Sequence, residues 1–471
     1  MIHEDNDSLN ARLQAAGLQP DARRMQRSAI SDELVDDLVF TAVFSGNDET
    51  REYARQLIHR FARALGAVPS SIQSLYEAMG RGEVQGFTVP AHNIRILTYD
   101  TARALFRAAI KGDVGAFIFE IARSEIGYTE QRPSEYAACV LGAAIRESFT
   151  GPVFIQGDHF QASVKRWTGG EQDKERQAIE SLIDEAIAAE FYNIDIDTST
   201  LVDLSYATLD EQQHANYANC AHFTRYIRQR EPQGITISVG GEIGEVGKEN
   251  TTPDEFRAYM EGYLRSLGSG MKGISKVSIQ TGTSHGGVVL PDGSVAEARI
   301  DFGALRAISD VARREYGLAG AVQHGASTLP EDVFDEFPRS DTAEIHLATG
   351  FQNMVFDHPA FPADLKDEIS VWLHENAASE RKQGETEEQF IYKTRKKSIG
   401  PFKRRMWDLP ANTRQQIIGS LEAKFSFLFA KLSVTGTKKV VAQHVRINES
   451  GPFVRSAAPA QLSEIPEGEG E

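Results

Sequence analysis

The chain has 471 residues, 67 of them acidic and 50 basic, for a formal charge of -17; it is long enough to bury a substantial core in one large domain or two to three ordinary ones. The acidic balance argues against nucleic acid as a partner, because that affinity rests on Lys and Arg contacts to phosphates. Two cysteines, Cys139 and Cys220, give no disulfide framework and no paired-cysteine metal motif, and with neither a basic-then-apolar leader nor an apolar run near the ~20 residues that span a bilayer, the expectation is a soluble protein of the reducing cytoplasm, with no membrane partner.

Residues 1–80 read as a helical extension. Ser31 stands as a cap before the apolar-periodic DELVDDLVFTAVF, and SSIQSLYEAMG opens on serines and closes at Gly80, a natural residue just past a helix end. No strand is expected there. From Phe87 the pattern changes to short β-prone runs that alternate with helical stretches, the signature of strand-helix-strand units. Eight such runs follow: FTVP at 87–90, GAFIF at 115–119, PVFIQ at 152–156, YNIDI at 192–196, ITISV at 235–239, KVSIQ at 276–280, AGAVQ at 319–323 and AEIHL at 343–347. Eight repeats fit a closed (β/α)₈ (TIM) barrel better than an open doubly wound sheet, and their span of roughly 270 residues suits the ~250 usual for that barrel. The barrel is therefore placed at 81–360. Residues 361–454 turn helical again, with a basic stretch, KTRKKSIGPFKRR, between two helical segments, and are expected to pack outside the barrel. Residues 455–471, rich in Pro, Gly and Glu, read as a disordered acidic tail.

In such a barrel the chemistry lies where the strands end at their carboxyl side. Gly157-Asp158-His159 follows the third run, Gly240-Gly241-Glu242 the fifth and Gly282 to Gly287, with His285 inside it, the sixth. The seventh ends in His324-Gly325-Ala326-Ser327, so three of the twelve histidines fall on one predicted rim. A single histidine after a strand is more often structural than a ligand, and Glu242 alone could be a solvated loop acid. Three imidazoles and a carboxylate from separate strand ends, however, suit Zn²⁺, which takes N and O donors and keeps an open position when catalytic. The flanking glycines would let substrate approach, and exposed N–H groups at such turns can hold phosphate oxygens. Asp158 reads as a general base, with orientation of a neighbouring imidazole as the alternative. The basic stretch is by default a solvated face and otherwise a phosphate contact.

Together these segments resemble the class II fructose-bisphosphate aldolase family, which includes tagatose-bisphosphate aldolases. GFTVPAHNIRILTYDTARALFRAA resembles the family's first strand and helix, PVFIQGDHF its strand ending in Asp-His, and GEIGEVGKENTTPDEF its Glu-x-Gly-x-x-Gly loop. GTSHGG resembles its second histidine motif and QHGAS its third, so the resemblance covers about 84–350 in order. It implies a homo-oligomeric zinc enzyme, dimer or tetramer, that cleaves a ketose phosphate such as fructose 1,6-bisphosphate to dihydroxyacetone phosphate and an aldehyde. Another divalent cation could replace zinc, and a monovalent one could assist. By this resemblance His159, His285 and His324 hold zinc, Glu242 is an additional or alternate ligand, and Asp158 exchanges the C4 hydroxyl proton. Asn93 faces the substrate, while Gly286, Gly325, Ser327 and Thr349 bind a phosphate.

Departures fall on phosphate recognition. A lysine usual soon after the second histidine is missing from HGGVVLPDG, and the last-strand Asn and Asp are His346 and Ala348 here, with Thr349 retained. The serine expected after the second strand is Ala122 or Ser124 by alignment, and the second proton carrier is Glu249 or nearby, Asn250 standing at one plausible position. Two rivals follow: a zinc-dependent sugar-phosphate or sugar-acid epimerase using the same chemistry, and a non-catalytic partner subunit of a tagatose-bisphosphate aldolase. The extensions are expected to make subunit contacts.

Overall fold

Each of the eight apolar runs becomes a strand in the computed structural model, which describes residues 1–244, 250–282, 290 and 300–448. The strands are β2 (Val89–Asn93), β3 (Ile118–Ala122), β4 (Gly151–Gln161), β5 (Asn193–Asp197), β6 (Ser238–Glu242), β7 (Lys276–Ser278), β8 (Ala321–Gln323) and β9 (Glu344–Leu347), after a three-residue β1 (Ala67–Pro69). From β2 to β9 each strand pairs in parallel with its successor, and β9 returns to β2 with Val89 opposite Glu344. That closes an eight-stranded parallel barrel with helices outside, the (β/α)₈ fold expected. Strands β2, β3 and β6 start and end two or three residues later than their apolar runs, and β4 runs on five residues past its own.

Strand β1 corrects the expectation of an uninterrupted helical N-terminus. It pairs with the foot of β4, Ala67 opposite Gly151 and Pro69 opposite Val153, and three residues are too few to show a period in sequence. Ser31 does cap its helix, its Oγ accepting from the Leu34 N–H at 3.2 Å. Gly80 acts otherwise than expected. It is the last residue of helix Gln73–Gly80, and a Cβ there would lie 2.1 Å from the Gly317 carbonyl oxygen, so close packing against that turn requires glycine.

After β9 and a short helix, Thr349–Phe356, the chain runs over the rim before helix Ala411–Lys431 descends the barrel wall. There Phe425 and Phe429 stand edge-on to the His92 ring, with centroids at 5.4 and 5.6 Å, and Phe351 stacks on it at 5.7 Å. Burial in this apolar setting lowers the His92 pKa to about 3, against a bond to the Ile118 carbonyl, so the ring is neutral core. At the foot the Leu432 carbonyl accepts from Thr88 N–H, and Thr437 Oγ1 accepts from the N–H groups of Gly115 and Ala116. This helix closes the wall outside β2 and β9. At the rim, the Gly400 N–H donates to the Tyr128 carbonyl at 3.0 Å, joining the basic stretch to the short helix after β3, Arg123–Tyr128. Residues 449–471, including the expected tail, lie outside the described residues. Among those described, no helix is long and apolar enough to cross a membrane.

Candidate active site at the barrel mouth

Asp158 and His159 are neighbours in sequence, and in a regular strand they would face opposite sides of the sheet. The pairing of β4 with β5 breaks between Gly157 and Phe160, where Gly157 faces Ile194 but Phe160 faces Ile196. Two residues, Asp158 and His159, therefore oppose the single Asp195, and His159 takes a left-handed backbone with φ 38°. A bulge of this kind re-aims side chains, and here it delivers both groups to the barrel mouth, where each is buried.

Around them the predicted groups assemble. The His159 and His324 rings lie 4.3 Å apart between centroids. His159 Nδ1 is 3.1 Å from Asp197 Oδ2 and 3.5 Å from Glu242 Oε2, and its Nε2 is 3.8 Å from Asp158 Oδ1. Asp158, His159 and His324 offer three donor atoms all within 4.8 Å of one another, as do His159, Asp197 and Glu242. His285 and Gly286, and Glu249 among the proton-carrier candidates, lie outside the described residues. Asn250 does not join the cluster; its Nδ2 donates to Asp301 at 2.9 Å.

The electrostatics of this cluster fit a cation. Burial, then the neighbouring Asp197, raises the Glu242 pKa well above the usual carboxylate value, with Asp158 adding to the effect. Burial works against a charged His159, but Asp158 and Glu242 outweigh it and hold its pKa well above that of free imidazole. Two imidazoles and crowded carboxylates in a largely buried pocket are a donor set of the sort that binds zinc or a similar divalent ion. Both carboxylate oxygens of Asp158 are buried and make no hydrogen bond among the described residues. Asp197 is fully engaged, accepting from Ser199 Oγ at 2.6 Å and Gln161 Nε2 at 2.6 Å besides facing His159. It therefore orients His159 and leaves Nε2 for a ligand.

Beside this centre lies a second group of predicted residues. Asn93 Nδ2 donates to Glu125 Oε2 at 2.7 Å, and the Arg95 guanidinium donates to Asn93 Oδ1 at 3.2 Å and to Thr349 Oγ1 at 3.5 Å while pairing with Glu125 Oε1 at 2.6 Å. Gly325 leads into the turn Ala326–Thr328, and Ser327 Oγ accepts from the Gly350 N–H at 3.0 Å. Arg95 was not anticipated from sequence, yet it is a buried cation among the groups expected to face substrate. Of the basic stretch, Arg395 pairs with Asp357 and Lys403 with Glu135. Lys396 stands over the Tyr128 ring at 5.7 Å, its pKa lowered to about 8 by burial and by the charge of Arg95, against the pull of Glu125.

Beneath the mouth is an ionic layer. Lys276 Nζ lies 2.9 Å from Gln156 Oε1 and 2.9 Å from Asp195 Oδ2, and it also pairs with Glu344, which accepts from Tyr76 OH. A Cβ at position 240 would meet Asp195 Oδ1 at 2.3 Å and Lys276 Cε at 2.9 Å, so Gly240 makes room for this pair. Burial opposes the charge on Lys276, but Asp195 and Glu344 outweigh it and hold its pKa above the usual lysine value. The layer had a sequence signal. In IDID, EIH and KVS, polar residues recur at every second position of otherwise apolar runs, and those are the inward positions.

Rim donors on a (β/α)₈ barrel define the broad class, barrel proteins whose chemistry sits at the strand ends. Residues 73–403 match the model of the fructose-bisphosphate aldolase class-II family, and the chain belongs to that family. Among solved structures, the fructuronate-tagaturonate epimerase UxaE from Cohnella laeviribosi is similar at 12% identity with a TM-score of 0.56, over 81% of this chain and 86% of that one. A structure described as a probable tagatose 6 phosphate kinase from Sinorhizobium meliloti 1021 is similar at 16% identity with a TM-score of 0.50, over 76% of this chain and 98% of that one. At these identities both speak to the fold alone. No curated protein sequence matches the chain.

Proposed function

We propose that this protein is a zinc-dependent aldolase that reversibly cleaves a ketose phosphate, such as fructose 1,6-bisphosphate, into dihydroxyacetone phosphate and an aldehyde. The observation that carries the reading is the bulge in β4, which sets Asp158 beside His159, with His324 and Glu242 completing the cluster. His159, His324 and, from the family pattern, His285 would hold the ion, with Glu242 as further ligand. A cation there supplies Lewis-acid polarisation of a substrate carbonyl.

The chain's own residues do the rest. Asp158 takes the C4 hydroxyl proton on one of its two unbonded oxygens as the C3–C4 bond breaks, and the electron pair of that bond passes toward the carbonyl side. In the synthetic direction it returns the proton. The alternative aldolase chemistry, a Schiff base on a buried lysine, does not suit Lys276, which stays protonated between Asp195 and Glu344. Arg95, braced by Glu125 and Asn93, with Lys396 close by, would read an anionic end of the substrate in place of the missing lysine. Gly286, Gly325, Ser327 and Thr349 would hold the other. A homo-oligomer remains our proposal for the assembly.

A second reading, a sugar-acid epimerase, is favoured by Arg95, because a planar guanidinium matches a carboxylate in a bidentate fashion. Cleavage followed by re-addition on the other face of the aldehyde would use Asp158 in the same way. The test is triose-phosphate release from fructose and tagatose 1,6-bisphosphates, with sugar acids in parallel, before and after chelation and zinc return. Chelator-sensitive cleavage lost in Asp158→Asn supports the aldolase. Interconversion of a sugar acid without net cleavage would move the conclusion to the epimerase, and a protein that binds no metal would overturn both.

A further inference from the structure

His159 and His324 are each gripped from a neighbouring strand. His159 is held on its Nδ1 side by Asp197 of β5. His324, just past the end of β8, is held by its other nitrogen, for Ser278 Oγ at the end of β7 lies 2.7 Å from His324 Nε2. Strand order puts Ser278 in reach: it stands opposite Glu242 of β6 on one side and Val322 of β8 on the other. Both Ser278 and His324 are buried. The other ring contacts fix the plane of His324 but not its direction. His346 stacks on it, with centroids 4.1 Å apart and planes 22° from parallel, and the His159 ring stands edge-on at 4.3 Å and 61°. A half-turn about Cβ–Cγ keeps that plane while exchanging Nδ1 with Cδ2 and Nε2 with Cε1. The bond to Ser278 separates the two orientations, because a ring carbon in place of Nε2 would take a partner from a buried hydroxyl.

We propose that Ser278 is a positioning residue for the metal centre: it holds His324 by Nε2 and so presents Nδ1 to the ion, while Asp197 holds His159 by Nδ1 and presents Nε2. Each ring nitrogen points one way in the ring plane, with either a hydrogen or a lone pair. While Nε2 is joined to Ser278 it cannot also face a cation, and the bond made by one nitrogen decides that the other meets the metal. The two histidines then reach one ion through different nitrogens, each steered from the strand beside its own. Their partners differ in kind. Asp197 is a carboxylate, which raises the basicity of its ligand as well as orienting it, whereas Ser278 is neutral and supplies direction. This inference rests on the proposed metal role of His324 and on no particular substrate.

The test is the long-range ¹H–¹⁵N spectrum of the zinc-loaded full chain labelled with ¹⁵N-histidine, the His324 signals being assigned by their absence from His324→Gln. It should show His324 with zinc on Nδ1 and its ring hydrogen on Nε2. In Ser278→Ala, zinc affinity measured by competition with a chromophoric chelator should fall by about 10- to 100-fold, the range seen when a ligand loses its orienting partner. Exchange of the Nε2 hydrogen with water should quicken in the same variant. Ser278→Thr keeps the hydroxyl and should restore both. Zinc on Nε2 of His324, or an affinity unchanged in Ser278→Ala, would overturn the inference and leave the aldolase reading standing. An affinity lost equally in Ser278→Thr and Ser278→Ala would trace the loss to packing and overturn it too. A wild-type chain that binds no zinc would sink this inference together with the metal reading beneath it.

Discussion

His159 reaches to Asp197 on the neighbouring strand, Nδ1 to Oδ2 at 3.1 Å, and the bulge that turns His159 inward is what makes this contact possible. Burial alone would raise the Asp197 pKa, but the bonds from His159, Ser199 and Gln161 outweigh it and keep the carboxylate ionised. An ionised acceptor at Nδ1 fixes the imidazole tautomer and its orientation. Asp197→Ala should therefore weaken zinc affinity by about 10- to 100-fold, the usual cost of losing such a partner. Competition with a chromophoric chelator measures it. At saturating zinc most of kcat should return, whereas a loss of kcat that no zinc concentration restores would make Asp197 a participant in the reaction.

Removing the ion should be felt in stability as well as activity. Without a cation the crowded carboxylates of Asp158, Asp197 and the partly exposed Glu242 have the charge of His159 and its neighbours to offset their repulsion. A ligand present at a hundred times its Kd stabilises the folded chain by about 2.7 kcal/mol. Chelation should accordingly lower the melting temperature by several degrees, and zinc should restore it. In a His159→Ala/His324→Ala variant the chelator should cause no shift, and a shift that persisted there would place the ion elsewhere.

How much of this was legible in the sequence differs from element to element. The eight strands were, because both faces of each are buried and their apolar runs stand out between helices. Asp158, His159, Glu242 and His324 were, because residues at strand ends in this fold converge without any knowledge of the turns. Asp197 was not read as a partner of His159, since that contact depends on a bulge that no residue pattern in GDHF announces. The ionic layer was overlooked for a different reason: Asp195, Lys276 and Glu344 each look like a solvated charge until strand order brings β5, β7 and β9 around one axis. Helix Ala411–Lys431 was correctly read as a helix, but that it closes the wall over His92 follows from long-range packing alone.

The ionic layer makes its own prediction. Lys276 is the cation between Asp195 and Glu344, and all three are buried. Taking one partner from a buried pair leaves an uncompensated charge and typically costs about 3–5 kcal/mol. Lys276→Met should lose that much in urea unfolding, and Lys276→Met/Glu344→Gln should recover part of it by removing one of the stranded charges. A Lys276→Met protein as stable as the wild type would mean that the charges are better screened than their burial implies.

Lys396 gives an effect of opposite sign in binding and in stability. Its pKa in the folded chain is about 8, against 10.5 for an ordinary lysine, through burial first and the charge of Arg95 second. Below that value it is charged and available to an anionic substrate; as pH rises through about 8 the charge goes. If it reads the substrate's anionic end, KM should rise about tenfold between about pH 7 and pH 9.5, the loss expected of one charge-assisted hydrogen bond. Folding, by contrast, grows more favourable over the same range. Between about 8 and 10.5 the unfolded chain holds a proton on this lysine that the folded chain has released, and stability rises with pH wherever the unfolded state binds more protons. Lys396→Met should remove the part of both slopes that comes from this group, raising KM at pH 7 while stabilising the fold there. A variant that leaves KM flat and low across the range would take Lys396 out of the binding site and leave Arg95 as the cation that selects the substrate.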